Sequence, residues 1–244
     1  MPDRRAHRGA HPQDHQDFAV ANHPALARAV AELSWLLSRH YAEKSALTLV
    51  GDHYQFTARQ RSAVMRCACS DADLIRRRDH QAAPPEVVGQ TLLLDGYNIL
   101  TTIEAALAGG AIFLARDGCL RDVASMHGSY RKVAETLPAL DLLGAILAGL
   151  GTAGALWYLD APVSNSGRLK TIIRDQASRH AWNWQVELVP SPDHELIHAS
   201  GIVATADSII LNRCQRWFNL GHYVVEQSIR TSWVIDLSIG TTDA

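Results

Sequence analysis

Apolar residues recur every three or four positions in the first part of the chain, and this spacing predicts helices. After Pro24 the apolar residues on one helix face are Leu26, Val30, Leu33 and Leu37. A further helix is predicted to begin at Thr57, because Thr57 and Gln60 have the spacing of a capping box. The sequence therefore predicts a small helical domain over residues 24–72, after a disordered polar tail over residues 1–23.

Two functions are open for this helical domain. Its short helices could form a helix-turn-helix in which Arg59, Arg61 and Arg66 contact phosphates. Alternatively, the helices dock on the rest of the chain. Docking is favoured, because several arginines on one helix usually form a solvated face.

A charge run and a pair of prolines separate this domain from the next. Arg76, Arg77 and Arg78 are followed by Pro84 and Pro85, which cannot lie inside a regular helix. Residues 73–90 are therefore predicted to be a linker, and residues 91–244 a second domain.

Short apolar runs alternate with amphipathic stretches in the second domain. Strands are predicted at 91–94, 111–114, 155–159, 186–189, 202–204 and 233–237, and helices at 133–150, 169–180 and 209–217. The stretch 109–122 has the pattern of an inserted hairpin. Strands separated by helices form a parallel sheet covered on both faces. The predicted fold is a three-layer α/β/α, Rossmann-like domain with a mostly parallel sheet, preceded by a small all-α domain.

Composition restricts the class of protein. The formal charge of −2 argues against a protein that coats nucleic acid through bulk charge, but it permits a local basic patch. Cys67 and Cys69 are too close together for a zinc knuckle, and the other two cysteines are distant, so buried reduced thiols are expected.

No membrane or secretion signal is expected. The uncharged stretch 142–159 has the minimum length of a membrane span, but Gly149, Gly151 and Gly154 interrupt it. A helix followed by a buried strand is the favoured interpretation. The polar N-terminus lacks the apolar segment of a secretory signal, so a cytoplasmic protein is expected.

Aspartates follow several of the predicted strands. Asp95, Asp160 and Asp207 stand at or near strand ends, and Asp193 lies in the predicted loop 190–193. The carboxyl ends of parallel strands meet at one edge of a sheet. Clustered carboxylates generally hold a cation, and oxygen ligands suit Mg²⁺ or Mn²⁺. The alternative is that each aspartate caps the helix after it. The number of aspartates favours a shared metal site.

The most specific motif is Asp95-Gly96-Tyr97-Asn98. It resembles the Asp-Gly-x-Asn with which the NYN branch of the PIN-like metal-dependent ribonucleases opens its domain. The resemblance continues at 159–161 and at 204–208, which is similar to a late Thr-x-Asp motif, and it covers roughly residues 91 to 237. The whole chain also resembles an uncharacterised prokaryotic family that joins a small helical domain to a PIN-like one.

This resemblance implies an endoribonuclease that hydrolyses RNA phosphodiesters with Mg²⁺ or Mn²⁺. The expected catalytic residues are Asp95, Asn98, Asp160 and Asp207. The three aspartates bind the metal with help from Asp193, and Asn98 positions the substrate. Ser208, beside the late motif, is expected to contact the substrate.

A second set of candidate substrate residues precedes a predicted helix. Ser164, Asn165 and Ser166 could present polar groups to a phosphate at the helix N-terminus, and Arg168 could add a positive charge. A plain helix cap explains the first three residues equally well.

Other functions are weaker or remain open. A non-catalytic RNA- or protein-binding module on a PIN-like fold is the main alternative. A haloacid-dehalogenase phosphatase needs an acid two residues after its nucleophile, where this chain has Tyr97. The chain has neither a Gly-Lys-Ser/Thr phosphate loop nor a GxGxxG fingerprint, so no nucleotide cofactor is expected. Homo-oligomerisation remains open.

Overall fold

The computed structural model describes residues 7–123 and 130–238 of the chain. Its α-helices, in chain order, are α1 (Asp14–Asp17), α2 (His23–Ser38), α3 (Glu43–His53), α4 (Ala58–Cys67), α5 (Asp71–Asp79), α6 (Gly96–Leu107), α7 (Thr136–Gly149), α8 (Ser166–His180), α9 (Pro192–His198), α10 (Ser208–Leu211) and α11 (Leu220–Ser228). The strands are β1 (Thr91–Asp95), β2 (Ala111–Leu114), β3 (Leu120–Asp122), β4 (Gly154–Asp160), β5 (Trp184–Val189), β6 (Ile202–Ala204), β7 (Arg216–Phe218) and β8 (Trp233–Asp236). Short 3-10 helices lie at Val20–Asn22 and Pro84–Val87.

The main sheet has five parallel strands in the order β5-β4-β1-β6-β7. The chain builds outward from β1 through β4 and β5, then crosses to the other side of β1 for β6 and β7. Helices α6, α7, α8 and α11 cover one face, and α9 and α10 cover the other. The predicted three-layer α/β/α fold is confirmed. In such sheets the point where strand order reverses, here between β1 and β6, opens a crevice at the carboxyl ends.

The central strand β1 is buried on both faces, which explains its unbroken apolar run. Leu92 and Leu94 belong to the core under α6 and α7, whereas Leu93 packs against the core on the α9 face. This alternation follows from the two-residue period of a strand.

A second, smaller sheet has the order β3-β2-β8. Strands β2 and β3 form an antiparallel hairpin, as predicted for 109–122, and β8 runs parallel to β2. Helices α2 to α4 pack on this sheet, so that Leu26 and Leu33 share one core with Phe113 and Ile235. The predicted strand 233–237 therefore exists but belongs to this second sheet.

The arginines of α4 make contacts inside the protein. Arg59 Nε donates to Asp14 Oδ1 at 2.6 Å, Arg61 pairs with Asp52, and an Arg66 guanidinium nitrogen lies 2.7 Å from the carbonyl oxygen of Asp122. The capping box of Thr57 and Gln60 is confirmed. These contacts favour the docked interpretation over a helix-turn-helix.

The predicted disordered tail is wrong for residues 7–23, the part of it that the structure describes. Arg8 is buried, and its Nε donates to Glu104 Oε2 at 2.7 Å. Phe18 is also buried, with its ring 4.7 Å from that of Phe113. A buried ion pair and an aromatic contact hold the segment on the protein.

The predicted linker over 73–90 is also partly wrong, because its first residues belong to α5. Ser70 caps this helix by accepting a hydrogen bond from the Asp73 amide. Acidic residues occupy the first turn and the arginine run occupies the last turn. That distribution complements the helix dipole, so the charge run marks a helix end.

The predicted helix 209–217 divides into α10 and the edge strand β7. Trp217, in β7, is fully buried, and its Nε1 donates to the carbonyl oxygen of Arg77 at 2.7 Å. Gln81 pairs with Trp217 on the outer side of β7. The segment between the two halves of the chain therefore lies along the edge of the main sheet.

Two further predictions concern membrane-spanning helices and the cysteines. No described helix is both long and apolar enough to pass through a bilayer. The four cysteines are free and buried, as predicted.

Candidate carboxylate site at the sheet edge

Two of the predicted aspartates end neighbouring strands with their side chains on one face. Asp95 pairs with Tyr158, so Asp160 lies two residues further along β4. Leu93 and Tyr158 pack against the α9 face, and the strand period gives Asp95 and Asp160 the same direction. Strand spacing and rise set the two α-carbons roughly 8 Å apart. The elements on this face, α9 and α10, bring the other two aspartates.

Asp95 is buried, with 8% of its surface exposed, and it does not cap the helix that follows it. Its Oδ2 accepts a hydrogen bond of 2.7 Å from Thr205 Oγ1. Burial, together with the charges of Asp207, Asp193 and Asp160, raises the pKa of Asp95 to about 7, against the opposing effect of the Thr205 hydrogen bond. The ionised form of Asp95 is therefore unfavourable unless a cation binds it, and otherwise the carboxyl tends to take up a proton.

Asp160 and Asp193 feel the same environment. Burial and then the charge of Asp193 raise the pKa of Asp160. Burial and then the charge of Asp207 raise the pKa of Asp193. The side-chain charges behind both shifts are carboxylates, so the four aspartates form one electrostatic group. Since α9 begins at Pro192, Asp193 lies in a helical first turn and not in the predicted loop.

Capping explains only part of this group. The Asp207 side chain caps α10, with Oδ1 accepting from the amides of Ile209 at 2.8 Å and Ile210 at 3.2 Å. Among the described residues, its Oδ2 receives no hydrogen bond. The cap of α9 is Ser191, and α8 begins well beyond Asp160. The alternative that each aspartate caps a helix therefore holds for Asp207 alone.

Thr205 connects two members of the group and was missed as a site residue. It is 1% exposed, donates to Asp95 Oδ2, and accepts a hydrogen bond of 2.9 Å from the Asp207 amide. The sequence did contain a signal for this role, because Thr205 stands two residues before Asp207 in the Thr-x-Asp motif. The hydroxyl fixes the loop after β6 against the end of β1.

Asn98 makes a second connection to this loop. Its Oδ1 accepts a hydrogen bond of 2.8 Å from the Ala206 amide. Gly96 allows the helix carrying Asn98 to lie close to β4, because a Cβ there would be 2.5 Å from Leu159 Cδ2 and 2.8 Å from the Tyr158 carbonyl oxygen. Asn98 therefore positions the loop, and the glycine serves close packing.

A buried ionic cluster supports the same loop from below. Arg121 binds Asp117 through two hydrogen bonds of 2.8 and 2.7 Å, and Arg77 binds it at 2.5 Å. Burial alone would raise the pKa of Asp117, but the two guanidinium groups outweigh it and hold the pKa below its usual range. Arg121 Nε also donates to the Ala206 carbonyl oxygen, and Arg77 reaches that of Ser208 at 3.5 Å. The cluster therefore joins the β2–β3 hairpin to α5, which carries Arg77.

The predicted substrate residues divide into two places. Ser208 begins α10 beside Asp207. Ser164, Asn165, Ser166 and Arg168 lie around the N-terminus of α8, beyond Asp160 in the chain. No side chain caps α8, so the cap interpretation of these residues is not what the structure shows. Ser164 and Asn165 instead bind the backbone of Tyr130.

The donor chemistry at this edge suits a hard cation, because the group offers carboxylate oxygens and no thiolate or imidazole. The spacing is less favourable. Among the residues that the structure describes, no three His, Cys, Asp or Glu side chains are placed to hold one metal ion together. Metal binding by Asp95, Asp160, Asp193 and Asp207 therefore stays a prediction.

Two family models match the chain. The first, described as "Domain of unknown function (DUF5616)", matches residues 84–223, which is more than half of the chain. The chain belongs to the DUF5616 family. The second, described as "Protein of unknown function (DUF434)", matches residues 25–80. The DUF5616 segment contains all four aspartates, whereas Arg77 lies in the DUF434 segment, so both segments hold the loop of Asp207.

The chain is similar to a protein named "Uncharacterized protein MJ0935" from Methanocaldococcus jannaschii. The two are 30% identical over 187 residues, which is 77% of this chain and 89% of the relative. No solved structure matches the chain.

Proposed function

We propose that this DUF5616 protein is a divalent-metal-dependent endoribonuclease that hydrolyses RNA phosphodiesters at the carboxyl edge of its main sheet. The observation that carries the proposal is the state of Asp95. This carboxyl is buried, and three further carboxylates act on it. A bound cation would stabilise such a group. Metal binding therefore explains why the four aspartates lie together, whereas helix capping explains only Asp207.

The residues have distinct roles in this proposal. Asp95, Asp160 and Asp207 would hold Mg²⁺ or Mn²⁺, and Asp193 would assist from α9. When bound, such an ion activates water and neutralises charge on the phosphate. Because the pKa of Asp95 is about 7, cation binding must displace a proton from it below that pH. Asn98 and Thr205 act as positioning residues, since both bind the loop that carries Asp207.

The choice of RNA rests on the resemblance to NYN-type ribonucleases in the segment Asp95-Gly96-Tyr97-Asn98. The convergence of Asp95 with Asp160 and Asp207 at one edge supports that resemblance. The proposal includes a cytoplasmic location, where such a protein would meet RNA.

The test is a calorimetric titration of the protein with Mn²⁺. The comparison variant is Asp95→Asn/Asp207→Asn, because asparagine still accepts the Thr205 hydrogen bond and is still a good helix cap. Asp52→Asn, at an exposed position on α3, controls for the loss of charge. We expect binding by the wild type and the control and none by the double variant. Absence of binding in all three, with and without RNA, would refute the proposal.

A second function, a non-catalytic RNA-binding module, is favoured by the spacing of the carboxylates, since no three of the described acids are placed to share an ion. Cleavage of single-stranded RNA in Mn²⁺ separates the two. The nuclease cleaves as wild type and fails as the double variant, whereas the module binds RNA equally in both and cleaves in neither.

A further inference from the structure

A positively charged cleft lies at the N-terminus of α8. Its volume is about 250 Å³, and residues 130–132 line one side while Asn165 and Arg168 line the other. Leu169 and Ile172 form an apolar floor. Two segments that are distant in sequence therefore meet around one cavity.

The charge of this cleft has a single sign. Arg131, Lys132 and Arg168 all line it and are exposed to solvent, and no described acidic residue does so. The first turn of α8 also lacks an acidic residue. The amide groups at the start of this fifteen-residue helix add a partial positive charge. The cleft therefore attracts anions, in a protein whose net charge is negative.

Hydrogen bonds hold the two sides of the cleft together. The Tyr130 amide donates to the Ser164 carbonyl oxygen at 3.1 Å, and Asn165 Nδ2 donates to the Tyr130 carbonyl oxygen at 3.0 Å. Asn165 has a φ of +71°, a conformation that asparagine tolerates better than most residues. The Tyr130 hydroxyl donates to the buried Glu104 at 2.6 Å. The wall of the cleft is thus fixed to the core.

The cleft lies at the same edge of the main sheet as the carboxylate group, because α8 begins six residues after Asp160, the last residue of β4. The rings of Tyr97 and Tyr130 lie 5.4 Å apart, and the Asp160 charge acts on the Tyr97 hydroxyl. Only residues 161–163 separate Asp160 from Ser164 in the chain. A strand of nucleic acid that places one phosphate at the carboxylates can therefore run along this edge and place another of its phosphates in the cleft.

We propose that this cleft binds a phosphate group of the single-stranded RNA substrate, with Lys132 and Arg168 as its principal ligands and Leu169 and Ile172 against the adjoining sugar or base. The proposal rests on the RNA substrate proposed above and adds the site that holds the strand beside the point of cleavage. The ligand chemistry is a phosphate, either a 5′-terminal monoester or an internal diester.

The test measures binding of 3′-fluorescein-labelled oligouridylate by fluorescence anisotropy, in EDTA and at low salt. Lys132→Gln and Arg168→Gln should each weaken binding about tenfold, since each removes a charged hydrogen bond. Each should also lower the slope of log affinity against log salt by about 0.7. Arg174→Gln is the matched control, because Arg174 is exposed on the same helix but does not line the cleft.

The outcomes separate this proposal from the metal site. Asp95→Asn/Asp207→Asn should bind the oligonucleotide at least as tightly as the wild type, whatever its Mn²⁺ titration shows. Probes with a 5′-phosphate or a 5′-hydroxyl identify the source: a preference for the first assigns a terminal monoester, and equal binding assigns an internal diester. Wild-type affinity in Lys132→Gln and Arg168→Gln, or an equal loss in Arg174→Gln, would overturn the proposal.

Discussion

Arg121 Nε lies 2.8 Å from the carbonyl oxygen of Ala206 and donates a hydrogen bond to it, one residue before Asp207. The same guanidinium binds both oxygens of Asp117. Arg121 therefore joins the β2–β3 hairpin to the loop that carries one of the proposed metal ligands. The position of Asp207 therefore depends on the buried guanidinium group of Arg121.

Replacing Arg121 with a neutral residue should destabilise the protein strongly. In Arg121→Gln, the buried Asp117 keeps Arg77 and the Cys119 amide but loses one of its two guanidinium partners, and the Ala206 carbonyl loses its donor. Breaking a buried pair of this kind costs about 3 to 5 kcal/mol. Urea unfolding measures the change, and Arg216→Gln is the control, because its partner Glu86 is largely exposed and the pair should contribute little. Equal, small effects of both substitutions would show that the cluster does not support the loop.

Asp95→Asn should alter the dependence of stability on pH. The pKa of Asp95 is about 7 when folded, above its value of about 3.9 in an unfolded chain. The folded state therefore favours the protonated form, and ionisation costs stability progressively as pH rises from about 4 to 7. At pH 8 the cost is on the order of 4 kcal/mol, which Asp95→Asn removes.

The expected result in EDTA is a variant that melts roughly 8 to 16 °C above the wild type at pH 8 and close to it at pH 4. Thermal unfolding monitored by circular dichroism measures both. If the difference between the two proteins is constant with pH, Asp95 titrates normally and its pKa is not raised.

Thr205→Val should weaken the connection between Asp95 and Asp207. Valine keeps the shape but leaves the Asp207 amide without its acceptor, at a cost of about 1 to 3 kcal/mol. Because the Thr205 hydrogen bond lowers the pKa of Asp95, its loss should raise that pKa further. Mn²⁺ binding should then begin at a higher pH than in the wild type. Thr205→Ser should restore the wild-type onset, whereas an unchanged onset in Thr205→Val would mean that the hydroxyl does not act on Asp95.

Gly96→Ala should destabilise the junction of β1 and α6. The added Cβ would meet Leu159 Cδ2 and the Tyr158 carbonyl oxygen, so α6 must shift away from β4, at about 1 to 3 kcal/mol. Gly149→Ala is the matched control, because a Cβ at that helical position meets nothing within 4 Å. It should be neutral or slightly stabilising. Chemical unfolding of both variants tests the difference.

The strand ends of the site could be predicted from the sequence because each depends on a local pattern. An apolar run followed by an aspartate marks the end of β1 and of β4, and parallel strands bring such ends to one edge. The fold class follows from the same alternation of strands and helices. Helices α6, α9 and α11 were not predicted, since tertiary packing stabilises helices more than their local sequence indicates.

The contacts that organise the site could not be predicted, because their partners are far apart in the chain. Thr205 is 110 residues from Asp95, and Arg121 is 85 residues from Ala206. The spacing of apolar and polar residues along the chain contains no information about such distant pairs. The run 76–78 was interpreted as part of a linker, although Arg77 in fact binds the buried Asp117. A charged residue in a polar run gives no local sign that it becomes buried.

Residues 80–82 lie along the edge strand β7 and connect the DUF434 segment to the DUF5616 segment. Domains that are exchanged between genes usually meet at an exposed linker with few contacts across it. Here the Ala82 amide donates to the Trp217 carbonyl oxygen at 2.7 Å, and the Trp217 amide donates to that of His80 at 3.1 Å. A gene that lost the first segment would encode a sheet with an open edge, ready to pair with another chain. The DUF434 and DUF5616 segments therefore form one structural unit in this protein, joined along β7 by backbone hydrogen bonds.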